Sequence, residues 1–198
     1  NGRYHGWRSR AFGGCYPCKQ SRKGRFTTIP NQMAYKVTVA PVTEPFTTAF
    51  VKTWLKIPAS VTAEDTIVDE LIKSARSWAE QGTGRALMTQ TIEDYFDYWP
   101  CEGIRLSVAP IQSITSIQYL SGGSYATWNA ANYNVDLVME PCRITLKNNG
   151  SLPSYDTQTP NAIKVTYVAG ATATTLIPRT TMQSMLQKIA FMYENRED

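Results

Sequence analysis

The residue pair most capable of chemistry is Cys15 and Cys18, which are separated by two residues near the N-terminus. A CxxC pair can supply two of the four ligands of a zinc site, or it can act as a redox pair at a helix start. Zinc needs two further ligands, but Cys101 and Cys142 are isolated, and His5 is the single histidine. The flanking sequence predicts no strand and helix for redox chemistry. We interpret the pair as incidental, with metal binding and then redox chemistry as the alternatives.

Catalytic chemistry is not predicted by any spacing in the chain. Glu93, Asp94 and Asp97 are close in sequence, but acidic residues in a strand-and-turn region usually form a solvated face. One histidine cannot complete a Ser-His-Asp or Cys-His arrangement, and no phosphate-binding glycine motif occurs. The sequence therefore predicts a protein that is not an enzyme and that uses no cofactor and no metal.

Charge divides the chain into two parts. The first 32 residues carry seven basic and no acidic side chains, whereas the rest carries 13 basic and 16 acidic ones. The seven cations are Arg3, Arg8, Arg10, Lys19, Arg22, Lys23 and Arg25. The same segment lacks any helical or strand periodicity, so we expect residues 1–32 to form an extended basic arm and residues 33–198 to form the folded body.

The arm has two interpretations. Its cations and aromatic residues could neutralise phosphates and stack on bases of nucleic acid. Alternatively, the arm could wrap an acidic neighbouring subunit, with its arginines on carboxylates and with Trp7, Phe12 and Tyr16 as apolar anchors. The second interpretation is favoured because no groove-reading motif accompanies the charge. Arg22, Lys23 and Arg25 are the cations most suited to contact DNA.

Two helices are predicted in the first half of the body. Thr47 can cap a short helix that Pro58 ends. Thr62 and Asp65 approximate a capping box for a second helix, which two glycines after position 81 terminate. An apolar stripe runs along this second helix, and we expect it to face the core. The residues expected to face inward are Ile67, Leu71, Ala75 and Trp78.

A third helix is predicted after Pro178. Its apolar residues exceed what a short terminal helix can bury against a small body, and methionine suits adaptable contacts. We therefore expect part of this helix to contact another protein or an adjacent subunit. The expected contact residues are Met185, Ile189, Met192, Tyr193 and Arg196.

Strands are predicted between the second and third helices. Short β-branched or aromatic segments occur at 89–96, 103–108, 113–120, 143–147 and 162–168. In the last of them, Ile163, Val165 and Tyr167 should share one face. Residues 121–134 are polar and aromatic, and they are interpreted as a long loop. The predicted fold class is α+β: a small bundle of two N-terminal helices and a C-terminal helix, with an inserted antiparallel β region and the basic arm.

Membrane association and secretion are not predicted. No stretch approaches the roughly 18–20 apolar residues of a membrane span, and no apolar segment follows the basic N-terminus as in a signal peptide. Four cysteines are too few for a disulfide scaffold in a chain of 198 residues, so a reducing cytoplasmic origin is expected.

The order of segments from Val42 to Arg196 resembles that of the head–tail connector (adaptor) family of tailed bacteriophages. The matching segments read EPFT at 44–47, WLKI at 54–57, LIKSAR at 71–76, EQGTGRAL at 80–87, TQT at 89–91, RL at 105–106, APIQSITSI at 109–117, NAIKVTYVAG at 161–170, IP at 177–178 and YENRE at 193–197. Residues 1–32 are not covered by this resemblance. Ser107 stands where the family usually has proline.

The resemblance implies a structural virion protein at the head–tail interface, assembled in the host cytoplasm. Such a protein forms a homo-oligomeric ring, commonly a dodecamer, which docks on the portal protein ring and extends the DNA channel. It also provides the platform for a stopper or tail-completion protein. The C-terminal helix would engage the portal, and the arm could contact double-stranded DNA non-specifically in the channel. The alternatives are a nucleic-acid-binding module that uses the arm, and another neck or tail-completion protein.

Overall fold

The computed structural model describes residues 34–100 and 103–195, which form an α+β fold as the sequence predicted. The helices are α1 (Thr48–Trp54), α2 (Asp65–Thr83) and α3 (Arg179–Glu194). The strands are β1 (Ala34–Val39), β2 (Gln90–Phe96), β3 (Ile104–Arg105), β4 (Ile111–Ser121), β5 (Ser124–Thr127), β6 (Tyr133–Asp136), β7 (Arg143–Leu146) and β8 (Ile163–Ala169). Strand β1, which precedes α1, was not predicted.

The strands form two antiparallel sheets. The larger has the order β1-β2-β8-β4-β5, and the smaller has the order β3-β7-β6. Strand β8 lies at the centre of the larger sheet, and Ile163, Val165 and Tyr167 are buried on one face as predicted. They belong to one apolar cluster with residues of the smaller sheet, including Ile144. The alternation of β8 is therefore explained by a core between the two sheets.

The predicted long loop at 121–134 is wrong. This segment contains β5, a turn of 3-10 helix and the start of β6. Trp128 is buried, its ring lies 4.8 Å from that of Trp99, and its Nε1 donates to the carbonyl of Ser151 over 3.1 Å. The stretch is ordered by one buried tryptophan and its hydrogen bond, which leave no period-2 pattern in the sequence.

The helices form a second apolar cluster. Helix α2 contributes Val68 and Ile72 to it, α1 contributes Val51, and α3 contributes Met185 and Ile189. Helices α2 and α3 run side by side in opposite directions. The end of α2 lines a groove together with the start of α3. At the other end of the pair, Tyr193 of α3 forms a hydrogen bond with Glu64, the residue before α2. Three helices thus share one small core beside the sheets.

Helix boundaries depend on specific caps. Thr47 caps α1 as predicted, and its Oγ1 accepts from the N–H of Phe50 over 3.3 Å. Gly84 ends α2 in the left-handed conformation, with φ of 65°. The predicted capping box is wrong, because α2 begins after Glu64 without a side-chain cap. The carboxylate of Asp65 instead pairs with the buried ammonium of Lys52 at 2.7 Å.

Candidate interaction surfaces

The acidic cluster that was considered for catalysis has structural roles in the larger sheet. Asp94 is fully buried, and its carboxylate accepts hydrogen bonds from the hydroxyl of Tyr167 at 3.0 Å and from the N–H of Ser107 at 2.7 Å. Burial raises the pKa of Asp94, and the two hydrogen bonds oppose part of that change. The group joins β2 and β8 to the segment before β4.

The other two carboxylates are also engaged. Glu93 lies 3.6 Å from the ammonium of Lys164, and Asp97 accepts from the N–H of Asn161 over 2.7 Å. Within residues 34–100 and 103–195, no three histidine, cysteine, aspartate or glutamate side chains are placed to hold a metal ion.

The terminal helix differs from the prediction in which side chains it exposes. Met185 and Ile189 were expected at an interface, but both are fully buried in the helical core. This correction follows from the packing of α3 against α2, which uses the most regular apolar stripe of α3 inside the chain. Met192 and Tyr193 are half-buried, and the hydroxyl of Tyr193 donates to Glu64 over 2.5 Å.

The outer face of the α2–α3 pair carries apolar residues that the rest of the described chain leaves exposed. Ile67 and Trp78, which were predicted to face inward, are 45% and 48% exposed, and Leu71 is half-buried. Helix α3 covers only one side of the broad α2 stripe. On α3, Phe191 is 60% exposed, and the ammonium of Lys188 lies 5.3 Å from its ring centre and 5.7 Å from that of Trp78.

A groove of about 340 Å³ opens beside this face, between the end of α2 and the start of α3. The lining residues are Trp78, Ala79, Gly82 and Thr83 from α2 and Thr180, Thr181 and Ser184 from α3. None of these side chains is charged, and the apolar part is supplied mainly by one aromatic ring. The groove is suited to an apolar group.

The loop between β6 and β7 begins with three residues, 137–139, which we call the tip. Its side chains are Leu137, Val138 and Met139, all exposed, and Val138 is 94% exposed. Asp136 Oδ1 accepts from the N–H groups of Val138 and Met139 at 3.2 and 3.4 Å. This tip was not predicted, although three consecutive apolar residues between an aspartate and Glu140 were the available signal in the sequence.

An ion pair connects the tip to the helical part of the molecule. The two terminal guanidinium nitrogens of Arg85, Nη1 and Nη2, donate to the carboxylate of Glu140 at 2.5 and 3.0 Å. The pairing raises the pKa of Arg85 and lowers that of Glu140. Arg85 directly follows the residue that ends α2, so the tip and the groove are both attached near that helix end.

Strand β1 is a third exposed surface. It forms one edge of the larger sheet, and all six of its residues are exposed, including Tyr35, Val37 and Val39. An edge strand with exposed apolar side chains can accept another chain.

Several predicted contact residues lie outside the described residues. These are Arg196, the aromatic anchors Trp7, Phe12 and Tyr16, the cations Arg3, Arg8, Arg10, Lys19, Arg22, Lys23 and Arg25, and the pair Cys15 and Cys18. Their predicted contacts remain predictions. In the described part of the chain, no helix has the length and apolar character needed to cross a membrane.

Comparison with known proteins gives matches among solved structures. No family model and no curated protein sequence matches the chain. A chain in the neck of an empty gene transfer agent (GTA) particle, computed with C6 symmetry, is similar with a TM-score of 0.71 and 20% identity. That match covers 83% of this chain and 86% of the other.

Two further structures of the same kind of particle are similar. A chain in the virion of the native GTA particle gives a TM-score of 0.65 and 19% identity, over 83% of this chain and 86% of the other. A chain in the native GTA neck computed with C12 symmetry gives 0.56 and 18%, over 81% and 85%. At these identities the comparisons show a shared fold, which this protein has in common with chains of GTA necks and virions.

Proposed function

We propose that the protein is a structural subunit of the neck of a tailed phage or phage-like particle, where it forms a ring as a head–tail connector (adaptor). The observation that carries the proposal is the fold shared with GTA neck chains over 83% of the sequence. The segments that resemble the connector family, from Val42 to Arg196, independently support the same class of protein.

The proposed role is mechanical. The ring docks on the portal protein ring, extends the channel for double-stranded DNA, and provides the attachment platform for a stopper or tail-completion protein. A twelvefold ring is supported by the C12 symmetry used for one of the similar necks. This role requires surfaces for several partners and no catalytic group. The protein would then reside in the virion neck after assembly in the host cytoplasm.

The exposed apolar surfaces support a protein that functions in an assembly. The α2–α3 face, the tip and the edge of β1 each present large apolar side chains to solvent. Monomeric proteins rarely expose several such patches, because apolar surface is stabilised by burial at about 25 cal/mol per Å². A ring subunit with a portal above and a stopper below has partners for each of them.

The arm fits the proposal in one of two ways. Its seven cations can pair with acidic side chains of a neighbouring copy or of the portal, while Trp7, Phe12 and Tyr16 fill apolar pockets there. Arg22, Lys23 and Arg25 are placed by sequence closest to the body, from which they can reach the DNA channel. The same charge supports a nucleic-acid-binding module as the competing function.

The test is reconstitution with the portal ring of the particle that encodes the protein. Light scattering and electron microscopy would be recorded for the protein alone, for the portal alone and for the mixture. We expect a stoichiometric ring of this protein added to one end of the portal. If the protein does not bind the portal but binds duplex DNA with a steep salt dependence, the result would favour the nucleic-acid-binding module instead.

A further inference from the structure

The tip at 137–139 and the α2–α3 groove are complementary surfaces on one chain. We infer that, in the assembled ring, the tip of each copy inserts into the groove of the adjacent copy. The inference rests on the proposed function only in requiring that copies of this chain associate. It assigns the contact between copies, which the resemblance and the comparisons leave open.

The tip has the properties of an inserting element. A run of three exposed apolar residues is unfavourable in water and is retained where it contacts something. The loop conformation is stabilised within the chain itself. Two backbone N–H groups bond to Asp136, and Arg85 pairs with Glu140. Such pre-organisation reduces the conformational entropy that association costs.

The charged residues that flank the tip are paired within the chain, which favours an uncharged binding surface for the tip. Asp136 lies 3.9 Å from Arg143, and Glu140 is bonded to Arg85, so both flanking carboxylates have a cation in their own chain. The groove lining contains no charged side chain, and the nearby ammonium of Lys188 is held over the Trp78 ring. Insertion of the apolar tip would therefore bury no unpaired charge in the receptor.

The groove matches the tip in size and character. Its volume of about 340 Å³ is enough for the side chains of Val138 and one neighbour. The Trp78 ring and Ala79 provide apolar contact, and Gly82 carries no side chain that would narrow the opening. The tip of the same chain does not fill this groove, because Val138 is 94% exposed. An element of matching apolar character is the same tip on a second copy.

Symmetry favours a second copy as that molecule. The tip and the groove are unlike surfaces, and contact between unlike surfaces of identical chains is heterologous. Heterologous contacts close into rings when the rotation between copies is a whole fraction of a turn, whereas contacts between like surfaces give twofold dimers. The necks that share this fold were computed with C6 and C12 symmetry, and rings of such symmetry are built from heterologous contacts.

A matched pair of substitutions tests the contact. Val138→Asp places a charge in the proposed groove, and Val42→Asp makes the same change at a residue that is 93% exposed and lies outside both surfaces. Ring formation on the portal would be measured by light scattering as a function of protein concentration. We expect Val138→Asp to raise the concentration needed at least tenfold and Val42→Asp to leave it unchanged. Urea unfolding of both variants would confirm that they fold.

A disulfide experiment identifies the partner directly. Val138→Cys and Ser184→Cys would be combined in one chain, with each single variant as control for the natural cysteines. Oxidation of assembled particles should give a ladder of linked copies only with the double variant. Equal assembly of Val138→Asp and the wild type, or no ladder from assembled rings, would reject this contact and leave the proposed function intact. A wild-type protein that never assembles would reject both.

Discussion

The carboxylate of Asp94 and the hydroxyl of Tyr167 form a 3.0 Å hydrogen bond in the interior of the five-stranded sheet, where both side chains are fully buried. The backbone N–H groups of Ser107 and Val108 approach the same pair, the first donating to the carboxylate and the second to the phenol. Burial raises the pKa of both side chains. The Asp94 carboxyl thus joins two strands and the segment before β4. Without it, the buried hydroxyl of Tyr167 and the N–H of Ser107 would lose their hydrogen-bond acceptor.

This pair predicts how the stability of the protein depends on pH. Because the folded pKa of Asp94 is raised, its contribution is fully present below the unfolded pKa of about 3.9 and is lost as pH rises through the folded pKa. The cost of Asp94→Asn, relative to the wild type, should therefore be larger at pH 4 than at pH 7. Urea unfolding of both proteins at the two pH values measures it. A cost that grows with pH would contradict a folded pKa of Asp94 that burial raises.

Two isoleucines of α2 test which side of the helix faces the core. Ile72 is buried and Ile67 is exposed, so Ile72→Ala should lower the free energy of unfolding by about 2–5 kcal/mol. Ile67→Ala removes the same atoms from the outer face and should cost about 1 kcal/mol or less. Denaturant unfolding of the unassembled protein gives both values. Equal losses would show that the whole stripe is buried, as the sequence alone had indicated.

Much of the fold was predictable because its elements depend on local signals. Three of these signals each span only a few residues: the Thr47 cap, the glycine that ends α2 and the alternation of β8. Five of the seven strands described between α2 and α3 were also predicted to within a few residues, whereas β5 and β6 were missed. The long loop at 121–134 was wrong because one buried tryptophan, Trp128, orders it through contacts far away in sequence.

The contact surfaces were less predictable for a physical reason. Periodicity identifies the apolar side of a helix, but it does not say how much of that side its own chain covers. Ile67 and Trp78 belong to the same sequence stripe as Ile72, yet only Ile72 is buried by the neighbouring helices. In α3 the error was the opposite, since Met185 and Ile189 are used inside the chain. Which apolar residues remain for a partner depends on the tertiary packing.

The hydrogen bond between α3 and the start of α2 should contribute measurably to stability. The Tyr193 hydroxyl donates to the carboxylate of Glu64 over 2.5 Å, and hydrogen bonds to charged groups contribute about 1.5–3 kcal/mol. Partial exposure reduces this, so Tyr193→Phe should cost about 1–2 kcal/mol in urea unfolding. Tyr125→Phe, which removes an exposed bond to a backbone carbonyl, should cost less. A reversed order would show that the α3 contact is not needed for the helical core.

The proposed portal contact of the C-terminal end can be tested without damage to the fold. Truncation after Lys188 would remove the buried Ile189, so lost assembly in that variant would not identify a contact. Arg196→Glu is more specific, with Arg179→Glu at the exposed start of α3 as the matched control. We expect Arg196→Glu alone to weaken binding to the portal ring, and more strongly at low salt than at high salt. The same portal affinity for both variants and the wild type would remove Arg196 from the interface.

Removal of the basic arm should separate its two proposed roles. A chain that begins at Met33 retains the predicted folded body, and residues 1–32 have no core-forming pattern, so we expect wild-type stability in urea. If the arm binds a neighbouring copy or the portal, this variant should form fewer rings at a given concentration. Replacement of Trp7, Phe12 and Tyr16 by alanine should then reproduce most of the defect, because buried aromatic anchors dominate such contacts.

If the arm instead neutralises DNA, rings should form normally and DNA retention in particles should fall. In that case the loss should follow replacement of Arg22, Lys23 and Arg25 by glutamine, and the aromatic variant should retain DNA. Normal rings and normal DNA retention without the arm would exclude both roles.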